Sequence, residues 1–386
     1  MLTGRLHIAV LAAWLATAGG AGGASAEPPP DPLDMLSEAE QAAIVRQGPW
    51  PAPWQPDPSN RVSGDPAAAR LGFRLFFEPR LSAGAVMSCA TCHRPEHGFA
   101  EQLAVSKGRV PLTRNAPGLD NVRYNRWFGR DGGTDSLWAS SIRTFHKNVE
   151  FATSPALIES LLAEDDAQRT GFEAVFGPDE ALRRGDTVMV LVAKALAAFQ
   201  ETLVSERTPF DDFRDAVAAG DREAAKLYPA AAARGAKLFF GRGQCHVCHF
   251  GPTFSNGEFG DVGMPLFVAG GGVDKGRYDA IPLLKASPFN LLGPHSDDPG
   301  RSGAAKTRYL DLKPRNWGEF AVPKLRGVAG TPPYMHDGSL ATLEDVVRHY
   351  SDLDPSRIHS DGRGLLKALR LDDGEIADLV AFLETL

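Results

Sequence analysis

The residues best equipped for chemistry lie in two pentapeptides, Cys89-Ala90-Thr91-Cys92-His93 and Cys245-His246-Val247-Cys248-His249. Each reads Cys-x-x-Cys-His, the attachment signature of a c-type haem: the thiols become thioethers and the imidazole binds iron from one side. All four cysteines of the 386-residue chain fall in these two motifs. An even cysteine count outside the cytoplasm otherwise suggests disulfides, and Cys-x-x-Cys pairs suggest zinc. Neither explains a His directly after each second Cys, so two covalent haems are expected. What faces each iron opposite its His then decides the chemistry. A strong sixth ligand makes an electron carrier, and an open face makes a catalyst.

Such attachment requires export, and the first residues supply a signal for it. Arg5 precedes an apolar run from Leu6 to Ala18, and Ala24-Ser25-Ala26 forms a cleavage site. About 13 apolar residues are too few to span a bilayer. Residues 1–26 are therefore expected to be a signal peptide and the protein to be periplasmic. No later segment reads as a membrane span. With a formal net charge of −7 the chain has no basic signature of a nucleic-acid binder.

The elements that must position the haems show a weak internal repeat. Upstream of the motifs stand AAARLGFRLFF (67–77) and AAARGAKLFF (231–240), each reading as a short amphipathic helix. The fold class expected is mainly α, with two tandem cytochrome c-like domains over residues 27–220 and 221–386, one covalent haem in each. Pro-rich residues 27–60 read as an extended lead-in with a short helix near 36–46. Residues 188–204 read as a long apolar helix. Thr208-Pro209-Phe210-Asp211 and Gly220-Asp221 read as a linker, and Gly260–Gly303 as loop. Thr342, with Asp345 at the capping-box position, starts a helix through Tyr350. Ile376, Leu379, Val380 and Leu383 make one apolar helical face.

Three further segments, LGFRLFFEPRLSAGAVMSCATCH (71–93), RNAPGL (114–119) and TPPYMHDGSLATLEDVV (331–347), resemble the bacterial dihaem cytochrome c peroxidase and MauG superfamily. The run FGRDGGTDSLW (128–138) is similar to its methanobactin-associated MbnH branch. The resemblance implies that hydrogen peroxide reacts at the first haem. Many members hold a distal His on the loop after the first motif. Here no His occurs between His97 and His146, and Arg109 stands near that place, so an open face is expected. Splitting peroxide moves a proton from one oxygen to the other and needs an acid–base group above the iron. The resemblance gives that role to Glu150 in Asn148-Val149-Glu150-Phe151, with His146 as the weaker alternative. Arg109 or Arg130 would stabilise developing negative charge.

For the second haem the resemblance points to the helix after the His336-Asp337-Gly338-Ser339 turn. Tyr350 matches the position of the sixth ligand, with Met335 and His349 as rivals. A thioether raises the haem potential, whereas a phenolate favours ferric and higher states. Tyr350 therefore implies a haem that shares oxidising equivalents. The family also implies a calcium ion, here held by Asn115, Thr331 and Pro333; oxygen donors of this kind suit calcium. Its relay Trp between the haems has no plain match, since Arg130 falls in that slot, leaving Trp127, Trp138 or a different path. The function implied is a haem-dependent oxidoreductase that uses peroxide to oxidise an aromatic residue, by the branch resemblance a Trp, on a periplasmic partner that handles copper. Two alternatives remain: a peroxidase fed by a small cytochrome or cupredoxin as electron donor, and a non-enzymatic electron carrier.

Overall fold

In the computed structural model, which describes residues 31–268, 271–358 and 366–386, the two Leu-Phe-Phe segments are helices Pro66–Phe76 and Ala230–Phe240. The signal peptide expected over residues 1–26 lies outside the described residues. Asp65 caps the first helix by accepting from the Ala67 and Ala68 N–H groups, and Pro66 follows where a missing N–H costs nothing. Each helix then crosses a later one at a glycine. Gly72 lies on helix Asp186–Gln200, and Gly235 lies on helix Asp373–Leu383. A Cβ at either position would stand 2.0 Å from a backbone carbonyl oxygen, that of Ala195 or of Asp378. Phe76 meets Phe199 at 5.2 Å, and Phe239 meets Phe382 at 4.9 Å, locking each crossing with aromatic rings. The partner helices even end in matching words, AFQETL (198–203) and AFLETL (381–386).

Two apolar cores follow from these crossings. One gathers Leu71, Leu75, Phe76, Trp138, Phe145, Leu196 and Phe199. The other gathers Phe239, Phe240, Phe254 and Phe382, and draws in Leu33, Leu36 and Ile44 from the lead-in. Helix Glu38–Val45, started by a Ser37/Glu40 capping box, lies in that lead-in. The class is mainly α: the only named strands among the described residues are Phe259–Gly260 and Phe320–Ala321, paired antiparallel. No described helix is long and apolar enough to cross a membrane.

Three local expectations change. Thr208-Pro209-Phe210-Asp211 is the start of helix Pro209–Ala219, because the turn-forming residues act as cap, first-turn Pro and capping-box acid. Its Phe210 and Phe213 pack in the second core, and Asp211 pairs with the fully buried Arg326 at 2.6 Å. The long helix stops at Gln200. Beyond it the chain turns so that the Leu203 carbonyl accepts from Asn121 N–H at 2.6 Å. Within the Gly- and Pro-rich stretch, Arg277–Ala286 is a helix that buries Ala280, Ile281 and Leu284.

Candidate active site

One cavity of about 1980 Å³ is lined by Cys89, Cys92 and His93 and also by Cys245, Cys248 and His249. The backbone fixes both imidazoles in the same way. His93 Nδ1 lies 3.0 Å from the Phe99 carbonyl and His249 Nδ1 lies 2.9 Å from the Phe254 carbonyl. A carbonyl only accepts, so Nδ1 carries the proton and Nε2 keeps its lone pair for a metal. Phe99 and Phe254 aim their carbonyls from the left-handed region, with φ of 54° and 55°. Burial holds both imidazoles below their ordinary pKa, in the neutral form that binds iron. Two basic side chains also face this cavity with a nitrogen that has no hydrogen-bond partner among the described residues: Arg130 through Nε, charged at neutral pH, and Lys324 through Nζ, which burial lowers to about 7 so that an anion beside it would charge it. Paired motifs, oriented imidazoles and uncompensated positive charge fit two haems, whose propionates bring negative charge.

Around the first motif, Glu150 lines the cavity and acts electrostatically on Cys92 and His93. It follows the turn after helix Leu137–His146, and Lys147 Nζ donates to its carboxylate at 2.5 Å. His146 turns elsewhere and packs its ring 5.4 Å from Phe289. Arg109 is not brought to the cavity. Its guanidinium donates to the Ala83 carbonyl at 2.6 Å, while its backbone N–H holds the Val149 carbonyl at 2.8 Å. Its neighbours Gly108 and Val110 do line the cavity. Glu101 was not singled out by the sequence. It is a buried carboxylate that acts on Cys92 and His93, with one oxygen unbonded. Only its nearness in the chain to the first motif could have drawn notice.

Around the second motif, helix Leu343–Ser351 starts at a Thr342/Asp345 capping box, as its sequence dictates. Tyr350, near its end, lines the cavity beside Cys245 and Cys248. Burial pushes its phenol well above the ordinary range, and its hydroxyl has no hydrogen-bond partner among the described residues. His349 Nε2 is occupied by the Val262 carbonyl at 2.7 Å. Met335 also lines the cavity, from a left-handed backbone with φ of 72°.

Between the motifs, Trp127 lines the cavity, whereas Trp138 is fully buried in the first core with Nε1 donating to Ser59 at 3.0 Å. Arg130 donates to the Asn115 side-chain oxygen, and burial pushes it down to about 10. Asn115 Nδ2 donates to the Pro333 carbonyl at 2.9 Å, and Thr331 lies on the same wall. The residues expected to hold calcium are thus together, but a guanidinium holds the side-chain oxygen calcium would need. In this arrangement the donor set does not fit the ion. An ion-pair cluster ties the two halves of the chain nearby. Arg114 bonds Asp274 at 2.6 Å and Asp131 at 2.7 Å, and Arg143 bonds Asp131 at 2.7 Å. These arginines hold the Asp131 carboxyl far below the ordinary range despite its burial.

Residues 66–219 match the family of di-haem cytochrome c peroxidases. The methylamine utilization protein MauG of Methylorubrum extorquens is 34% identical over 83% of this chain and 78% of its own length. The chain belongs to the dihaem cytochrome c peroxidase and MauG family. It is a haem enzyme that uses peroxide, with two c-type haems at the two motifs. The cytochrome-c peroxidase IdrP1 of Denitromonas iodatirespirans is 32% identical over 87% of this chain and 85% of its own. Among solved structures, a MauG-like protein associated with microbial copper homeostasis superposes with a TM-score of 0.65 and 25% identity, over 88% of this chain and 95% of that one. The diheme peroxidase BthA of Burkholderia thailandensis shares the fold, with a TM-score of 0.64 over 87% of each chain.

Proposed function

We propose that this protein, exported to the periplasm, uses hydrogen peroxide to oxidise an aromatic residue, a Trp, on a partner protein by electron transfer over distance. The haems supply the peroxide reaction and the storage of oxidising equivalents. Glu150 is the acid–base group that moves the proton between peroxide oxygens, and Lys147 fixes its carboxylate. Arg130 supplies positive charge to the cavity. Tyr350, which lines the cavity with His249, would hold the second haem's iron through its phenol oxygen. Desolvation raises this phenol, so it would give up its proton only to a cation at its oxygen, such as the ferric ion it would hold. Trp127 rather than Trp138 relays electrons; that Trp127 lines the cavity while Trp138 lies in the first core supports this reading.

The observation that carries this reading is Tyr350: half-buried on the cavity wall, its hydroxyl without a hydrogen-bond partner among the described residues, and beside the second motif's cysteines. An oxygen donor there disfavours the reduced state that a peroxidase awaiting electrons would need. Likeness to a protein associated with copper homeostasis supports a copper-handling partner. The test is incubation of the ferric protein with peroxide and copper-handling proteins encoded nearby, followed by mass spectrometry. Oxygen added to a partner Trp, dependent on peroxide, is the expected result. Peroxide turnover that starts only after reduction by a small cytochrome or cupredoxin would overturn the reading.

A further inference from the structure

Two cationic side chains lie against the ring of Trp127. The Arg277 guanidinium lies 4.3 Å from the ring centroid and the Lys306 ammonium 5.3 Å from it. Both cations are tied to backbone rather than to carboxylates. Arg277, which is 2% exposed, donates to the carbonyls of Asp131 and Gly132, and Lys306 donates to the Arg126 carbonyl at 2.5 Å. Neither makes an ion pair among the described residues. The nearby carboxylates act on them only through space, Asp131, Glu258 and Glu319 on Arg277 and Asp135 and Asp57 on Lys306, and of these Asp131 is bonded by Arg114 and Arg143 and Glu258 by Arg126. Burial lowers Arg277 to about 10 and Lys306 to about 8, so both are charged at neutral pH.

We infer that Arg277 and Lys306 are tuning residues that make Trp127 harder to oxidise, so that an oxidising equivalent passes it and does not settle on it. This rests on the relay reading of Trp127. In that reading Trp127 gives one electron to the oxidised haem pair and takes one from the partner's aromatic residue. Each peroxide accepts two electrons and two protons and leaves as two waters. A neutral indole attracts a cation over its face. An indole that has lost an electron is itself positive and is repelled by the same cation, most strongly where water does not screen it. The two side chains thus stabilise the reduced ring and destabilise the oxidised one. In a protein whose oxidant waits for a partner, that difference protects the enzyme's own relay.

The experiment compares the dihaem protein with Arg277→Gln and Lys306→Met forms, each given peroxide without partner. Readouts are low-temperature electron paramagnetic resonance for a Trp radical and peptide mapping for oxygen on Trp127. We expect oxidation of Trp127 to rise about tenfold in either variant, consistent with loss of one strong cation–π contact, and Arg277→Lys to restore protection. Because Arg277 also holds two backbone carbonyls, Lys306→Met keeps the test valid if Arg277→Gln fails to fold. Folded variants with unchanged Trp127 oxidation would overturn the inference. The relay reading fails separately if Trp127→Phe oxidises partner at the wild-type rate.

Discussion

The two haem sites are built on one plan as far as the iron and then diverge. Each has a glycine crossing, a Phe-rich wall and a His held by a Phe carbonyl in left-handed backbone. On the cavity wall, a carboxylate held by a lysine stands near the first motif, and near the second a phenol without a hydrogen-bond partner among the described residues. The repeated half is what attaches and orients a haem. In the function proposed above, the unrepeated half sets what each haem does, an acid–base group suiting bond cleavage and an oxygen donor suiting storage of oxidising power.

The largest effect should come from breaking that asymmetry at the first site. Glu150→Gln should slow the reaction with peroxide by about 10²- to 10⁴-fold while both haems remain attached, as read by stopped-flow absorption. Next comes the shared plan. Gly235→Val should cost about 3 kcal/mol or more, because its new Cβ meets the Asp378 carbonyl with nowhere to move. Gly72→Val should cost the same against Ala195, each lowering the melting temperature with full haem attachment.

A smaller effect separates the ends of the two partner helices. Glu201 is buried, and burial raises its carboxyl to about 7, while Glu384 at the matching place is exposed. A carboxyl raised in the folded state favours folding when protonated. That stability is complete below the unfolded value near 4.5 and is lost as pH rises through about 7. Glu201→Gln should flatten the pH dependence of melting between those values, by about 1–3 kcal/mol, whereas Glu384→Gln should leave it in place. Smallest of all, treatment with a calcium chelator should leave the haem spectra unchanged, because Arg130 holds the Asn115 oxygen.

The sequence made the repeated half legible and much of the unrepeated half illegible. Cys-x-x-Cys-His and Leu-Phe-Phe are local words, and the capping box at Thr342 and Asp345 placed Tyr350 on its helix. The matching AFQETL and AFLETL endings were equally readable but lie more than a hundred residues from the first helices they cross. Arg109 misled because sequence position placed its loop correctly, while the side chain leaves the cavity to bond Ala83. The Thr208 segment misled because caps and turns use the same residues. Arg277 and Lys306 gave no signal, since cations facing a ring 150 or more residues earlier form no pattern along the chain.

The most direct test of the asymmetry is magnetic resonance of the ferric protein as isolated, beside the Tyr350→His form. The account predicts one high-spin and one low-spin haem, reaction with peroxide without prior reduction, and a change confined to the low-spin signal in the variant. Two low-spin haems in the native protein, or an unaltered low-spin signal after Tyr350→His, would contradict it.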